Sequence, residues 1–597
     1  MKLSRIYCNK QALFPTIDFN EGLSVILAEI REQSNKNKDT HNLGKSTLSA
    51  LLDFCLLAKK SSDIFLFSYK DTFIDFVFYL EIEMKNGSYL TIKRSTSNQS
   101  KIYFKKHTVK KQDYTHLSDE EWDHAKVPFE RARTILDGYL DFGKLGEDYD
   151  FRKPIGYSLR RQNDYDDVFH LTKFKGSHSQ WKPYLAHILG FDSALVSKNY
   201  ELTQKIESLE NNLTDLHSRL PRQLEELDKL DAVLQLKRAQ VKELDDALQA
   251  FNFSKKDSNL IDELVEKIDI KISDLNSQKY YLSSQLKKIE QSLQVEPVKF
   301  RPQEAEIIFS EAGVHFPEQL KKSYNDLIEF NKTITDERRA ALKNEMANLQ
   351  KTMDAIIQEL ATLNEERSKT LSFLSNEDSF KKYKSMSKEV NKLSSEVLLI
   401  EERRSLSEAV LSIKTEIAEA KSYLAKNQAE LVKNIHEMNS EDSRYSAIRY
   451  YFSRIIKNVL DRDAIISTTI NKEGNLQFKA EILGNGEPTA ESKGHSYKKL
   501  LCIAFDLAVA ITYRNESYPK FLYHDGALET LDNRKKLRLI EIVRDIGEKF
   551  GIQEIITLID SDLPYQSEGK FRFKPDEIIC LLHDQGDEGR LFKMPKW

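Results

Sequence analysis

Long runs of apolar residues spaced by threes and fours constrain this chain more than any other feature. Leu227, Leu230, Leu234, Val241, Leu244, Leu248 and Phe251 form one run, interrupted only by Lys237. Ile261, Val265, Ile268, Ile272, Leu275, Leu282, Leu286, Ile289 and Leu293 continue it past a break at 252–258. Heptad spacing gives each helix a single apolar stripe, which has to be buried against another helix. A segment holding Pro297, Pro302, Gly313 and Pro317 then stops the helix. Beyond it the pattern resumes at Met346, Leu349, Met353, Ile356, Leu360 and Leu363, and runs again from Met386 to Ile400 and from Leu406 to Leu424. Two stretches of similar length around a turn predict a long antiparallel coiled-coil hairpin, with arms of about 140 Å at about 1.5 Å per residue before kinks. Two separate coiled coils used for dimerisation are the alternative.

The flanks read differently. Strand-like runs occur at Ile74–Ile82, Leu476–Ile482, Phe521–His524, Ile552–Ile559 and Glu577–Leu582. The expected organisation is a globular N-terminal half (1–197), an ascending arm (198–295), an apex (296–337), a descending arm (338–438) and a globular C-terminal half (439–597). Neither half has an evident closed core, so the two ends are expected to fold together as one α/β head. Charged residues make up 31% of the chain against 40% hydrophobic ones, with 20 Gly and 13 Pro. That balance favours long solvated helices over disorder.

A net charge of -4 provides no global positive field, so any nucleic acid would be met by a local patch such as Lys105, Lys106, Lys110 and Lys111. Cys8, Cys55, Cys502 and Cys580 are far apart, without a CxxC pair, and read as reduced thiols rather than zinc ligands. Nothing approaches the roughly 20 apolar residues that span a bilayer. The expectation is a soluble, cytoplasmic protein with no membrane partner.

Asn42 to Leu48, reading NLGKSTL, carries the chemistry. A glycine, a lysine and a hydroxyl residue at a helix start suit a nucleotide phosphate: backbone N–H groups and the helix dipole face the anion, the ammonium meets the terminal phosphates, and the hydroxyl meets Mg²⁺. Gly44, Lys45 and Ser46 fill these roles here, followed by Thr47; a Gly-Lys-Ser at an ordinary helix start is the alternative. Asp39 stands where the full pattern has another glycine, but Gly22–Glu29 reads as a buried strand and Thr47–Leu57 as an apolar helix, the order that such a loop needs. PKFLYHD (519–525) is an apolar strand ending in Asp525, a candidate Mg²⁺ ligand, and Asp532 follows seven residues later. In GYSLRRQNDYDDVF (156–169), Gln162 is placed to reach the same cation; a polar surface loop is the alternative. In ESKGHSYKKLLCIAFDLAVAI (491–511), a loop with Ser492, Gly494 and Ser496 opens a long helix whose N-terminus suits the γ-phosphate of ATP on a second copy of the head; an ordinary helix cap is the alternative.

Together these motifs resemble the SMC/RecN group of ABC ATPases. The resemblance implies an ABC-type ATPase head assembled from the two ends, with ATP and Mg²⁺ as ligands. It makes Lys45 and Ser46 the Walker A residues, Gln162 the Q-loop, Ser492 and Gly494 the signature loop, Asp525 the Walker B acid and Asp532 the D-loop. More narrowly, Ile307–Arg339, GHSYKKLLCIAFDLA and the His-Asp strand end are similar to small SMC-like ATPases with an uncharacterised C-terminal domain, found in three-component ABC and Lamassu-type bacterial defence operons. This implies a homodimer through the ATP heads, sequence-independent contact with the DNA backbone, and effector and accessory subunits. An ATP-binding scaffold with little hydrolysis, or a RecN-like DNA-repair ATPase, are the alternatives. The chain departs from the pattern in having Gly526 where the family's catalytic glutamate stands, which leaves Glu529 or His524 as the candidate base. Asp560 or Ser561 occupies the place of the switch histidine, and the register of the signature loop is open by about two residues.

Overall fold

The computed structural model describes residues 1–597 except 32–42, 63, 143–148, 175, 220–226, 251–257, 295–317, 372–376, 485–486, 490–493, 567–568 and 596. The chain divides into two compact units, Met1–Lys205 with Lys421–Trp597, and Ile206–Ala420. Mixed helix and sheet make up the first; the second is helical.

Among the described residues of the first unit, the main sheet has five parallel strands in the order β16-β3-β13-β12-β8. These are Leu23–Glu29 (β3), Leu159–Arg160 (β8), Phe521–His524 (β12), Gln553–Ile559 (β13) and Ile578–His583 (β16). LSVILAE is apolar along nearly its whole length because β3 is covered on both faces and paired on both edges. Both of its neighbours come from the far end of the chain: Val25 lies opposite Ile556 of β13, and Leu27 opposite Leu581 of β16.

A second sheet is antiparallel, in the order β2-β1-β4-β5-β6-β7, from Lys2–Cys8 (β1), Ile17–Asp18 (β2), Val77–Glu83 (β4), Tyr89–Ser95 (β5), Lys101–His107 (β6) and His124–Pro128 (β7). Gln553 of β13 joins the two sheets, its amide accepting from Leu3 N and donating to Leu3 O, both at 2.8 Å. Asp463–Ile470 (β9), Leu476–Gly484 (β10) and Glu487–Pro488 (β11) form a third sheet; Tyr565–Gln566 (β14) and Gly569–Lys570 (β15) pair as a short ribbon.

Seven helices matter below: α1 (Lys45–Cys55), α2 (Leu227–Gln249), α3 (Ser258–Gln294), α4 (Glu318–Leu371), α5 (Glu377–Met438), α6 (His495–Thr512) and α7 (Asn533–Phe550). The helical unit buries the heptad positions Leu230, Leu234, Ile268, Ile272, Ile356, Leu360, Val410 and Ile417. Its ion pairs give the helix directions. Asp231 pairs with Arg404, and Lys237 with Glu396 at 2.8 Å, so α2 and α5 run antiparallel. Tyr383 donates to Asp269 at 2.8 Å and Lys288 pairs with Glu402 at 2.7 Å, so α3 and α5 run parallel. It follows that α2 and α3 are antiparallel to each other. This differs from one straight ascending arm over 198–295, and α4 already begins at Glu318, inside the segment expected to be the apex. The physical reason is that a heptad stripe sets which face is buried but leaves open which helix covers it. The remainder of that apex, 296–317, lies outside the described residues.

Candidate functional site

The loop before α1 ends at Gly44, whose left-handed backbone (φ 100°) caps the helix without a side-chain acceptor. Among the described residues no side chain caps this helix start, and the N–H groups of a helix's first turn suit an anion. A Cβ at Gly44 would stand 2.7 Å from Leu591 Cβ, whose backbone N–H also donates to Leu43 O at 3.1 Å, so the C-terminal stretch packs directly on this loop. Lys45 is buried, and its carbonyl accepts from the Tyr523 hydroxyl at 2.9 Å.

β12 carries Asp525 to the same point. Ser46 Oγ donates to Asp525 Oδ2 at 2.5 Å across 479 residues of sequence, and Thr557 of β13 donates to Oδ1. The Thr557 oxygen also accepts the Gly526 N–H at 2.9 Å. One hydroxyl beside one oriented carboxylate is a donor set for Mg²⁺, which keeps most of its ligands as water and phosphate oxygens. Among the described residues no group of three or more His, Cys, Asp or Glu gathers as a fuller metal cage.

Gly526 turns the chain (φ 65°), and the Glu529 carboxylate folds back over it: a Cβ at Gly526 would meet the Glu529 carboxyl carbon at 2.6 Å. Gln162 Nε2 reaches Glu529 Oε2 at 3.1 Å, and Lys499 of α6 reaches the same oxygen at 3.2 Å. Gln162 is set by its neighbour Arg160, which is 0% exposed and makes a two-pronged pair with Asp506 of α6 at 2.6 and 2.9 Å. Arg160 O also accepts from Asp525 N at 3.1 Å, so the Gln162 loop and the Asp525 strand end share one anchor.

His524 belongs to that buried anchor rather than to the open site. Its Nε2 lies 3.1 Å from Asp506 and its Nδ1 contacts Glu554. Burial alone pulls the imidazole down, but Glu554 and Asp506 outweigh it and raise the pKa to about 9. A ring that is charged at neutral pH and bonded at both nitrogens has no lone pair for a water. Asp506 is held below the ordinary carboxylate range, burial opposing and Arg160 prevailing.

At the place read as the switch position, Asp560 pairs with Lys570 and Ser561 is exposed. Asp562, two residues on, is half-buried and feels the charges of Glu529 and Lys45. Burial pushes its carboxyl above the ordinary range, with Glu529 adding to the rise and Lys536 and Lys45 opposing it. Among the described residues no donor reaches its buried Oδ2. Asp532 caps α7, accepting from Lys535 N at 3.0 Å and pairing with its ammonium at 2.8 Å. Gly494 is the exposed residue before α6, and Thr47 lies half-buried in the first turn of α1. Asn42 and Ser492 lie outside the described residues.

Thr557, Lys499 and Asp562 were missed by motif reasoning. Lys499 did leave a trace: it stands seven residues before Asp506, two turns along one face of an otherwise apolar helix, which is where a buried charge needs a partner.

Residues 455–596 match the model of a family described as an uncharacterised protein conserved in bacteria (DUF2326). No curated protein matches. Among solved structures, the Smc head domain with a coiled coil and joint from Pyrococcus yayanosii is 14% identical, with a TM-score of 0.33, over 94% of this chain and 92% of that one. The Smc head domain with an extended coiled coil bound to the C-terminal domain of ScpA, from Pyrococcus furiosus, is 10% identical, with a TM-score of 0.35, over 94% of this chain and 90% of that one. Likeness of this degree carries no weight for the function of this chain. No helix among the described residues is long and apolar enough to cross a membrane.

Proposed function

We propose that the first unit is an ATP-binding and ATP-hydrolysing head of the ABC type, in an SMC-like chain. The observation that carries this reading is the meeting of Ser46 and Asp525 at 2.5 Å, at the start of α1. In this reading Lys45 binds the terminal phosphates, and Ser46 and Asp525 hold Mg²⁺, which neutralises phosphate charge when bound. Gln162 orients the attacking water. Glu529 accepts its proton, as the carboxylate nearest the place of a side chain at 526. Binding with little turnover is the second reading, favoured by the absence of a side chain at Gly526 itself.

In the fuller form of the reading, two heads pair through their nucleotides, DNA is held by its backbone, and effector subunits of a bacterial defence complex respond. The support for this part is the sequence resemblance alone. The candidate lysine patch lends it little, since Lys105 pairs with Asp123 at 3.1 Å, Lys110 with Glu21 at 3.7 Å and Lys111 with Asp18 at 3.3 Å.

The test is phosphate release from Mg-ATP, with and without DNA, by the native chain, Lys45→Ala and Glu529→Gln. The expected result is background turnover for Lys45→Ala and a loss of roughly hundredfold or more for Glu529→Gln with nucleotide binding kept. A native rate equal to that of Lys45→Ala removes the hydrolytic reading; full activity in Glu529→Gln removes Glu529 as the base.

A further inference from the structure

Lys499 is 1% exposed in the second turn of α6, where the buried run to Ile511 begins, a position where an ammonium without acceptors is strongly disfavoured. It has two acceptors, the carbonyl of Gly526 at 2.9 Å and Glu529 Oε2 at 3.2 Å, and it lies 5.0 Å from the centre of the Tyr165 ring. The first contact ties it to the backbone turn directly after Asp525, and the second to a carboxylate that folds into the space above that turn. Gln162 reaches the same Oε2 at 3.1 Å. Among the described residues, both donors to Glu529 therefore converge on one oxygen. This fixes the rotation of the carboxyl group and, among the described residues, leaves Oε1 without a donor.

We propose that Lys499 is a positioning residue for Glu529: it holds the carboxylate above Gly526, so that an acid three residues downstream acts from the place a side chain at 526 would occupy. The inference rests on the hydrolytic reading above. It also predicts how the base is coupled to the rest of the head. Ser496, three residues earlier on α6, donates to Thr530 O at 3.0 Å, next to Glu529. One link from α6 thus reaches the base and a second its neighbour Thr530, so a shift of the Gly494 end of α6 is passed to Glu529.

The experiment is a double-mutant cycle on the full chain, reading kcat and KM for Mg-ATP, affinity for a fluorescent ATP analogue, and the melting temperature. Lys499→Met is compared with the native chain, and Lys499→Met/Glu529→Gln with Glu529→Gln. The expected result is a loss in kcat of roughly tenfold to hundredfold in the native background, analogue affinity within about twofold, and no further loss once Glu529 is gone. Lys499→Gln, which keeps a donor for Gly526 O without the charge, falls between and decides by the same comparison if Lys499→Met does not fold. Unchanged kcat, or the same fold-loss in both backgrounds, overturns the inference while leaving the hydrolytic reading intact. A native chain no faster than Lys45→Ala overturns both.

Discussion

His524 and Asp525 are neighbours in sequence with opposite fates, because consecutive strand residues face opposite sides of a sheet. Asp525 meets Ser46, and His524 joins Asp506 and Glu554 in the interior. The pKa of His524, raised from 6.5 to about 9, means that the folded protein holds a proton which the unfolded chain releases. The resulting stability is fully present below about pH 6.5 and lost as pH rises through about 9; Glu554, raised by burial, acts with the same sign. Urea unfolding at pH 6 and pH 9.5 is expected to show a fall of at most about 3 kcal/mol, largely removed by His524→Gln; a flat or rising profile argues against the charged ring. Gly526→Ala tests the other side of the strand end. The left-handed backbone disfavours a Cβ by about 1–2 kcal/mol, and the new methyl collides with Glu529. Turnover is expected to drop at least about tenfold with nucleotide affinity retained, as read from phosphate release beside analogue binding. The meeting of Ser46 and Asp525 was legible from the order strand, loop, helix and from an apolar strand ending in an acid. The fold-back of Glu529 was not, because it depends on left-handed turns at Gly526 and Thr530 that leave only a glycine as a signal.

At the scale of elements, the apolar spacing marked the long helices and their buried faces, and the runs at Phe521–His524 and Ile552–Ile559 marked two central strands. Helix partners were invisible for a simple reason: Ile268, Ile272, Ile356 and Leu360 form one cluster, yet any of the other stripes would have covered them in chemical terms. The helices on either side of the break at 252–258, α2 and α3, run in opposite directions. Crosslinking separates the two arrangements. With the native cysteines replaced, Lys288→Cys with Glu402→Cys is expected to join through a short bismaleimide as readily as Lys237→Cys with Glu396→Cys. In one straight hairpin about 296–337, position 288 faces the far arm near its top and only the second pair links. A mobility shift on denaturing gels distinguishes the two.

At the scale of the molecule, the mixed unit draws on both ends of the chain, which was readable from two halves that each lacked a closed core. Its main sheet takes β3 and β8 from the first 160 residues and β12, β13 and β16 from after residue 520. Met1–Lys205 expressed alone is expected to lack cooperative thermal unfolding, whereas Met1–Lys205 joined by a flexible linker to Lys421–Trp597 is expected to unfold in one transition by calorimetry. A cooperative transition in the short fragment contradicts this account.

The position of β3 between β13 and β16 has a consequence for biosynthesis. Val25 leaves the ribosome some 530 residues before Ile556, its partner across the ladder. At about 5–20 residues per second, this apolar strand waits roughly half a minute to two minutes for the partners it pairs with in the sheet. Over that interval LSVILAE is a template for any other extended chain. Chaperone dependence and codon-level translation speed are therefore expected to govern the yield of active protein more than the equilibrium stability of the finished fold.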